Sequence, residues 1–193
     1  MQLRRQGALL SLVMAGLLVP AAASAGALRV PSDTTACDIA GFLKAKPEGA
    51  KLREAPEDGA GIVATLTPPS DAGADAAYGV LIVGDYKGWL LAYGARLKAT
   101  SSKGASPAAY SGFAWVAAAD LMGRLAPSQH ELLDQPSDDA AAHPFAKSPA
   151  EIEVSRVVEC SGPFAHVETS IGAGWVRGLC SNVEDEFPSN WCR

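Results

Sequence analysis

The chain has 193 residues, 48% of them apolar, with 16 Lys+Arg against 21 Asp+Glu and a formal net charge of −5. An acidic chain with no basic run lacks the positive face that nucleic acid needs and that anionic lipid would capture. The apolar content is high enough for a packed core, which excludes a disordered chain.

The first element in chain order is a leader. Arg4 and Arg5 precede an apolar run over residues 7–23, and Ala23-Ser24-Ala25 has the form of a signal-peptide cleavage site. Residues 1–25 are expected to be removed, leaving Gly26 as the first mature residue. The apolar run is shorter than the about 20 residues of a membrane span. No Cys follows the cleavage site and no second long apolar run occurs. The mature chain is therefore expected in the periplasm or outside the cell, without stable membrane insertion. Without Arg4 and Arg5 it carries 14 Lys+Arg against 21 Asp+Glu.

The mature part repeats itself. Leu52-Arg53-Glu54-Ala55-Pro56-Glu57-Asp58-Gly59-Ala60 returns as Leu132-Leu133-Asp134-Gln135-Pro136-Ser137-Asp138-Asp139-Ala140. Each copy leads into a β-rich run that closes on a Trp-Val pair, Trp115-Val116 and Trp175-Val176. A repeat of this kind sets the architecture. It predicts two small β domains, residues 26–126 (core about 41–125) and residues 127–193.

In the first copy, residues 26–36 read as a short leader into the fold. Residues 62–66 alternate as a strand, with Ile62, Ala64 and Leu66 on one face. Residues 67–79 read as a loop. Val80-Leu81-Ile82-Val83 reads as a buried strand, and residues 84–88 as a turn. Residues 89–93 form the next strand, with Trp89, Leu91 and Tyr93 on one face and Leu90 and Ala92 on the other. Residues 98–112 are rich in Ser, Ala, Gly and Pro and read as an enlarged hairpin loop. The strand resumes at Phe113-Ala114-Trp115-Val116, and a short helix competes over residues 117–125.

The second copy is more compact. Residues 152–155 and 157–160 read as strand, Ser161-Gly162-Pro163 as a turn, and residues 164–168 as the next strand. Gly172-Ala173-Gly174 reads as a tight hairpin before Trp175-Val176. The tail, residues 181–193, carries Phe187 and Trp191 and is expected to pack down.

Domains of roughly 80 residues are marginal without staples. Four cysteines in an exported chain read as two disulfides, with three possible connectivities. The preferred set is Cys180–Cys192 with Cys37–Cys160. Cys160–Cys180 with Cys37–Cys192 is the rival, since a β meander brings Cys160 and Cys180 close.

These residues resemble the bacterial Src-homology-3-like (SH3b-type) domain, whose pattern is G-L-N-V-R-x-x-P, then G-W-x-x-V, then G-W-V. Gly49, Arg53, Pro56, Gly88, Trp89, Trp115 and Val116 match, with Leu52 at the place of Val. Two extra residues separate Gly112 from Trp115. The second copy matches at Leu132, Pro136, Gly162, Gly174, Trp175 and Val176. It has Leu133 where Arg is expected and Phe164 for Trp. The stretch Cys180-Ser181-Asn182 with Cys192 looks like the short C-terminal tail of some tandem members. The resemblance implies an all-β chain of two small, partly open five-stranded barrels. It also implies an exported binding module for cell-wall peptidoglycan, peptides or protein partners. Leu133 puts an Arg-dependent contact of the second copy in doubt.

Catalysis finds little footing in the sequence. A nucleophilic cysteine must be unpaired and beside its base, and there is no room here for a papain-like domain. Zinc ligands come in closely spaced Cys or His pairs, which are absent. There is no G-x-S-x-G elbow and no glycine-rich phosphate loop before a helix. No cofactor or metal is expected. The aromatic residues remain. Val116 and Val176 pointing inward would turn Trp115 and Trp175 outward. The candidate ligand residues are Arg53, Tyr86, Trp89, Tyr93 and Trp115 in the first copy, with Phe164, His166 and Trp175 in the second. Stacking and apolar burial on such residues suit sugars or extended peptides. The expected function is non-enzymatic binding of peptidoglycan or an envelope protein or peptide. The alternatives are a structural or assembly factor of an envelope complex, and an accessory or degenerate wall hydrolase.

Overall fold

A computed structural model describes residues 26–44, 46–68, 77–98 and 108–180. The described chain is all-β, with two short 3-10 turns, and its main sheet curls into a half-barrel. Residues 1–25, where the leader is expected, residue 45, residues 69–76 and 99–107, and the tail from residue 181 lie outside the described residues.

The first repeat supplies β2 (Ala50–Arg53), β3 (Ile62–Leu66), β4 (Ala77–Tyr86), β5 (Trp89–Lys98) and β6 (Ala108–Ala117). They lie in the order β3-β2-β6-β5-β4. The second repeat supplies β9 (Glu131–Leu133), β10 (Ala142–Pro144), β11 (Val154–Ser161), β12 (Phe164–Thr169) and β13 (Gly172–Arg177). Their order, β10-β9-β13-β12-β11, is the same arrangement. Register agrees too: Arg53 pairs with Trp115, and Leu133 with Trp175.

The repeated phrase folds identically at the level of backbone hydrogen bonds. Glu54 N–H donates to Gly61 C=O, Glu57 to Ala55 and Ala60 to Glu57. Asp134 to Ala141, Ser137 to Gln135 and Ala140 to Ser137 are the same three bonds eighty residues later. The Pro in each phrase donates no N–H and fixes its own φ, which suits a tight turn after a short strand.

Several sequence expectations shift. The turn over residues 84–88 contracts to Lys87-Gly88, because Gly84, Asp85 and Tyr86 belong to β4. Both turn residues have positive φ, 50° and 82°, the geometry that matches the twist of a two-residue hairpin. The second hairpin turns at Ser170-Ile171, two residues before the expected Gly172-Ala173-Gly174. Thr169 closes it, its hydroxyl donating to Gly172 C=O and accepting from Ile171 N–H. The expected helix near residue 117 is one 3-10 turn, Ala118–Asp120. It leads into β7 (Leu121–Met122) and β8 (Arg124–Leu125). The expected loops are trimmed, since β4 begins at Ala77, β5 runs to Lys98 and β6 starts at Ala108. Ile62 is half exposed while Leu66 is buried. A register shift between Leu52 and Arg53 breaks the expected shared face.

A further strand, β1 (Thr35–Leu43), lies where sequence suggests a leader. It pairs antiparallel with β4 on one side and β7 on the other. Its second half is buried at every position, so it shows no alternation to read. The strand also binds the repeats together. Asp38 N–H donates to Gly162 C=O, and Gly162 N–H donates to Ala36 C=O. Cys37 is bonded to Cys160 between them. This pairing overturns the rival set that joined Cys160 to Cys180. Cys180 is also disulfide-bonded, and the expected partner, Cys192, lies outside the described residues. Cys180 ends β14 (Leu179–Cys180), which pairs with β8.

One core serves both repeats. Ile39, Leu43, Ile82, Leu90 and Val116 cluster with Val157, Val167, Val176 and Leu179. The linker near Gln129 is packed: its side chain donates to Glu131 C=O and accepts from Arg177 N–H.

Candidate functional site

The outward aromatic face of the first repeat exists, but its centre is closed. Val116 points into the core, as alternation requires, and Trp115 points to the opposite face. Trp115 is nonetheless 0% exposed, against the expectation of an exposed indole. The cause is the segment over residues 26–34, which lies across that face. Trp115 Nε1–H donates to Arg29 C=O at 2.8 Å, and Arg29 N–H donates to Glu54 C=O at 2.8 Å. Burying the indole is tolerable because its one donor is satisfied.

Around this sealed tryptophan the other candidates separate. Tyr86, expected in the turn and exposed, is the half-buried last residue of β4. Its ring meets Trp115 edge-on at 6.5 Å, with Lys87 Nζ 4.8 Å from its centroid. Tyr86 also borders a shallow groove between Val30-Pro31 and Ala55-Pro56. Tyr93 is 41% exposed and pairs across the strands with Phe113, 47% exposed, at 4.8 Å between rings.

Arg53 and Trp89 come together in a cavity of about 130 Å³, shared with Lys46, Glu48, Lys51, Asp58 and Asp120. Lys46 Nζ is 2.5 Å from Asp120 Oδ1. Arg53 Nη1 donates to Ala60 C=O at 2.7 Å, which fixes the guanidinium at the rim. Lys51 is exposed and has no ion-pair partner among the described residues. The cavity thus sets the Lys51 ammonium and the anchored Arg53 guanidinium beside a half-buried indole, with the Glu48 and Asp58 carboxylates on the same lining. Sequence reasoning missed Lys51, although it lies two residues before Arg53 on a strand and so shares its face.

The second repeat fills the corresponding space. Trp89 pairs with Ala117, and Phe164, in the matching position, pairs with Arg177. The Arg177 guanidinium lies over Phe164 at 5.7 Å and bonds to Asp138, the counterpart of Asp58. Phe164 is accordingly buried, 7% exposed. His166 and Trp175 form a separate stacked pair, 5.2 Å between centroids. Glu159 Oε1 lies 3.3 Å from His166 Nδ1.

One carboxylate stands apart. Asp85 is 9% exposed between the repeats and carries one unpaired oxygen. Burial, reinforced by the nearby Glu159 charge, raises its pKa to about 6, with the Cys160 backbone N–H acting the other way. Among the described residues, no group of three His, Cys, Asp or Glu is placed to hold a metal ion. Among the same residues, no helix is long and apolar enough to cross a membrane.

No family model, curated protein or solved structure matches this chain. The functional reading therefore rests on the site itself.

Proposed function

We propose that this is an exported, non-enzymatic protein of two fused SH3-like units that binds peptidoglycan stem peptides through the first repeat. The observation that carries the reading is the meeting of Arg53 and Trp89 with the unpaired Lys51 in one small cavity. A short peptide ending in a carboxylate suits that set: the cations take the carboxylate and the indole takes an apolar side chain. The identical five-strand order of the two halves supports the SH3-like assignment. The disulfide between the repeats supports an oxidising compartment. Retention on purified sacculi, compared between the wild type and Lys51→Glu, tests the reading.

A second reading is a structural or assembly factor of an envelope complex. The observation that favours it is the exposed Tyr93–Phe113 pair, an aromatic anchor of the kind found at protein interfaces. Cross-linking in intact cells from position 113 would return a protein partner under this reading and glycan under the first.

A further inference from the structure

In the first repeat, one residue of the chain is gripped as a bound peptide would be. Arg29 gives its N–H to Glu54 and takes the indole N–H of Trp115 on its C=O. Its guanidinium reaches Glu57 at 2.8 Å and lies 3.9 Å from Glu54. The main chain is read in both directions and the side chain by acid. Those are the terms on which extended peptides bind to sheet proteins.

The second repeat carries the counterparts of the two main-chain reading groups and of Glu54, but Ser137 stands where Glu57 bonds the guanidinium. Trp175 holds the position of Trp115, paired with Leu133 as Trp115 is with Arg53. Asp134 holds the position of Glu54, within the same hydrogen-bonded turn. It offers a carbonyl and a carboxylate, the latter 2.8 Å from His143 Nε2. The occupant is what differs. Neither the Trp175 indole N–H nor the Asp134 carbonyl has a hydrogen-bond partner among the described residues. Trp175 is half-buried where Trp115 is sealed.

We propose that the Trp175–Asp134 face is a second binding site, for an extended peptide with a basic residue at its centre. The chain's own Leu28-Arg29-Val30 shows the chemistry that fits. Trp175 donates to the carbonyl of the central residue, Asp134 C=O accepts its N–H, and the Asp134 carboxylate meets its cation in place of His143. This site is independent of the Arg53–Trp89 cavity and stands or falls without it.

The test uses the mature protein and a capped peptide of the sequence Gly-Ala-Leu-Arg-Val-Pro-Ser-Asp, followed by the NMR signals of the indole N–H groups. The expected result is a saturable shift of the Trp175 signal with Trp115 unmoved. A peptide with Leu in place of Arg should bind about tenfold more weakly, the loss of one charge-assisted hydrogen bond. Trp175→Phe, which lacks the Trp175 signal and is followed by isothermal titration calorimetry, should bind the Arg peptide about as weakly. The peptide comparison stands even if that variant folds poorly. No Trp175 shift at millimolar peptide would overturn the proposal, as would equal binding of the Arg and Leu peptides. A Trp175 signal already protected from exchange in the free protein would show the face covered by the chain's own residues 181–193. A signal that moves with protein concentration alone would show a second copy there. Either result overturns it too.

Discussion

Trp115 and Arg29, 86 residues apart in sequence, are joined by a 2.8 Å hydrogen bond that closes the outer face of the first repeat. The bond converts a segment with no regular structure into part of the fold. It also explains how a large indole can be fully buried on the side of the sheet away from the core.

Trp115→Phe keeps the ring and removes the donor, leaving Arg29 C=O without its partner. The expected cost is about 1–3 kcal/mol of stability, read as a lower urea midpoint at unchanged slope. A chain starting at residue 34 should show a red-shifted tryptophan emission, since the Trp115 ring loses its cover. Unchanged emission would mean that the segment does not cover Trp115.

The Cys37–Cys160 bond closes a loop of 123 residues in sequence separation. On the chain-entropy account such a bond contributes about 5 kcal/mol. Replacing both cysteines with Ala should lower stability by about 3–5 kcal/mol in urea unfolding. Because both repeats share one core, the loss should appear in a single transition. Two separate transitions in the variant would show that the repeats fold independently once the bond is gone.

The repeat and its strands were legible in the sequence because alternation and the Leu-x-x-x-Pro phrase are local signals. β1 was not, since a strand buried between two neighbours shows no period of two. The facing of Trp115 was legible from Val116 beside it. Its burial was not, because the cover comes from residues 26–34, and nothing local links them to β6. The meeting of Arg53 and Trp89 in one cavity was not legible, because it depends on how β2 lies beside β6 and β5. The closure of the matching space by Arg177 needed the register, which places Arg177 opposite Phe164.

Asp85 makes stability depend on pH. Its pKa in the folded protein, about 6, lies above the ordinary aspartate value near 3.9. The folded state therefore binds more protons than the unfolded state between about pH 4 and 6, and this group lowers stability as pH rises through that window. Above it, the cost of the buried charge is on the order of 2–3 kcal/mol. Asp85→Asn should raise the urea midpoint at pH 7 and leave it nearly unchanged at pH 4. An equal effect at both values would mean that Asp85 is not held above its ordinary pKa.

The proposed binding of peptidoglycan places its stem peptide in the cavity of Lys51, Arg53 and Trp89. Retention of the mature protein on purified sacculi measures it most directly, with Lys51→Glu as the comparison, since Lys51 is exposed and its loss should leave the fold intact. The wild type should be retained and the variant should drop about tenfold, the scale of one charge-assisted hydrogen bond. No retention of the wild type, or equal retention of both, would contradict it.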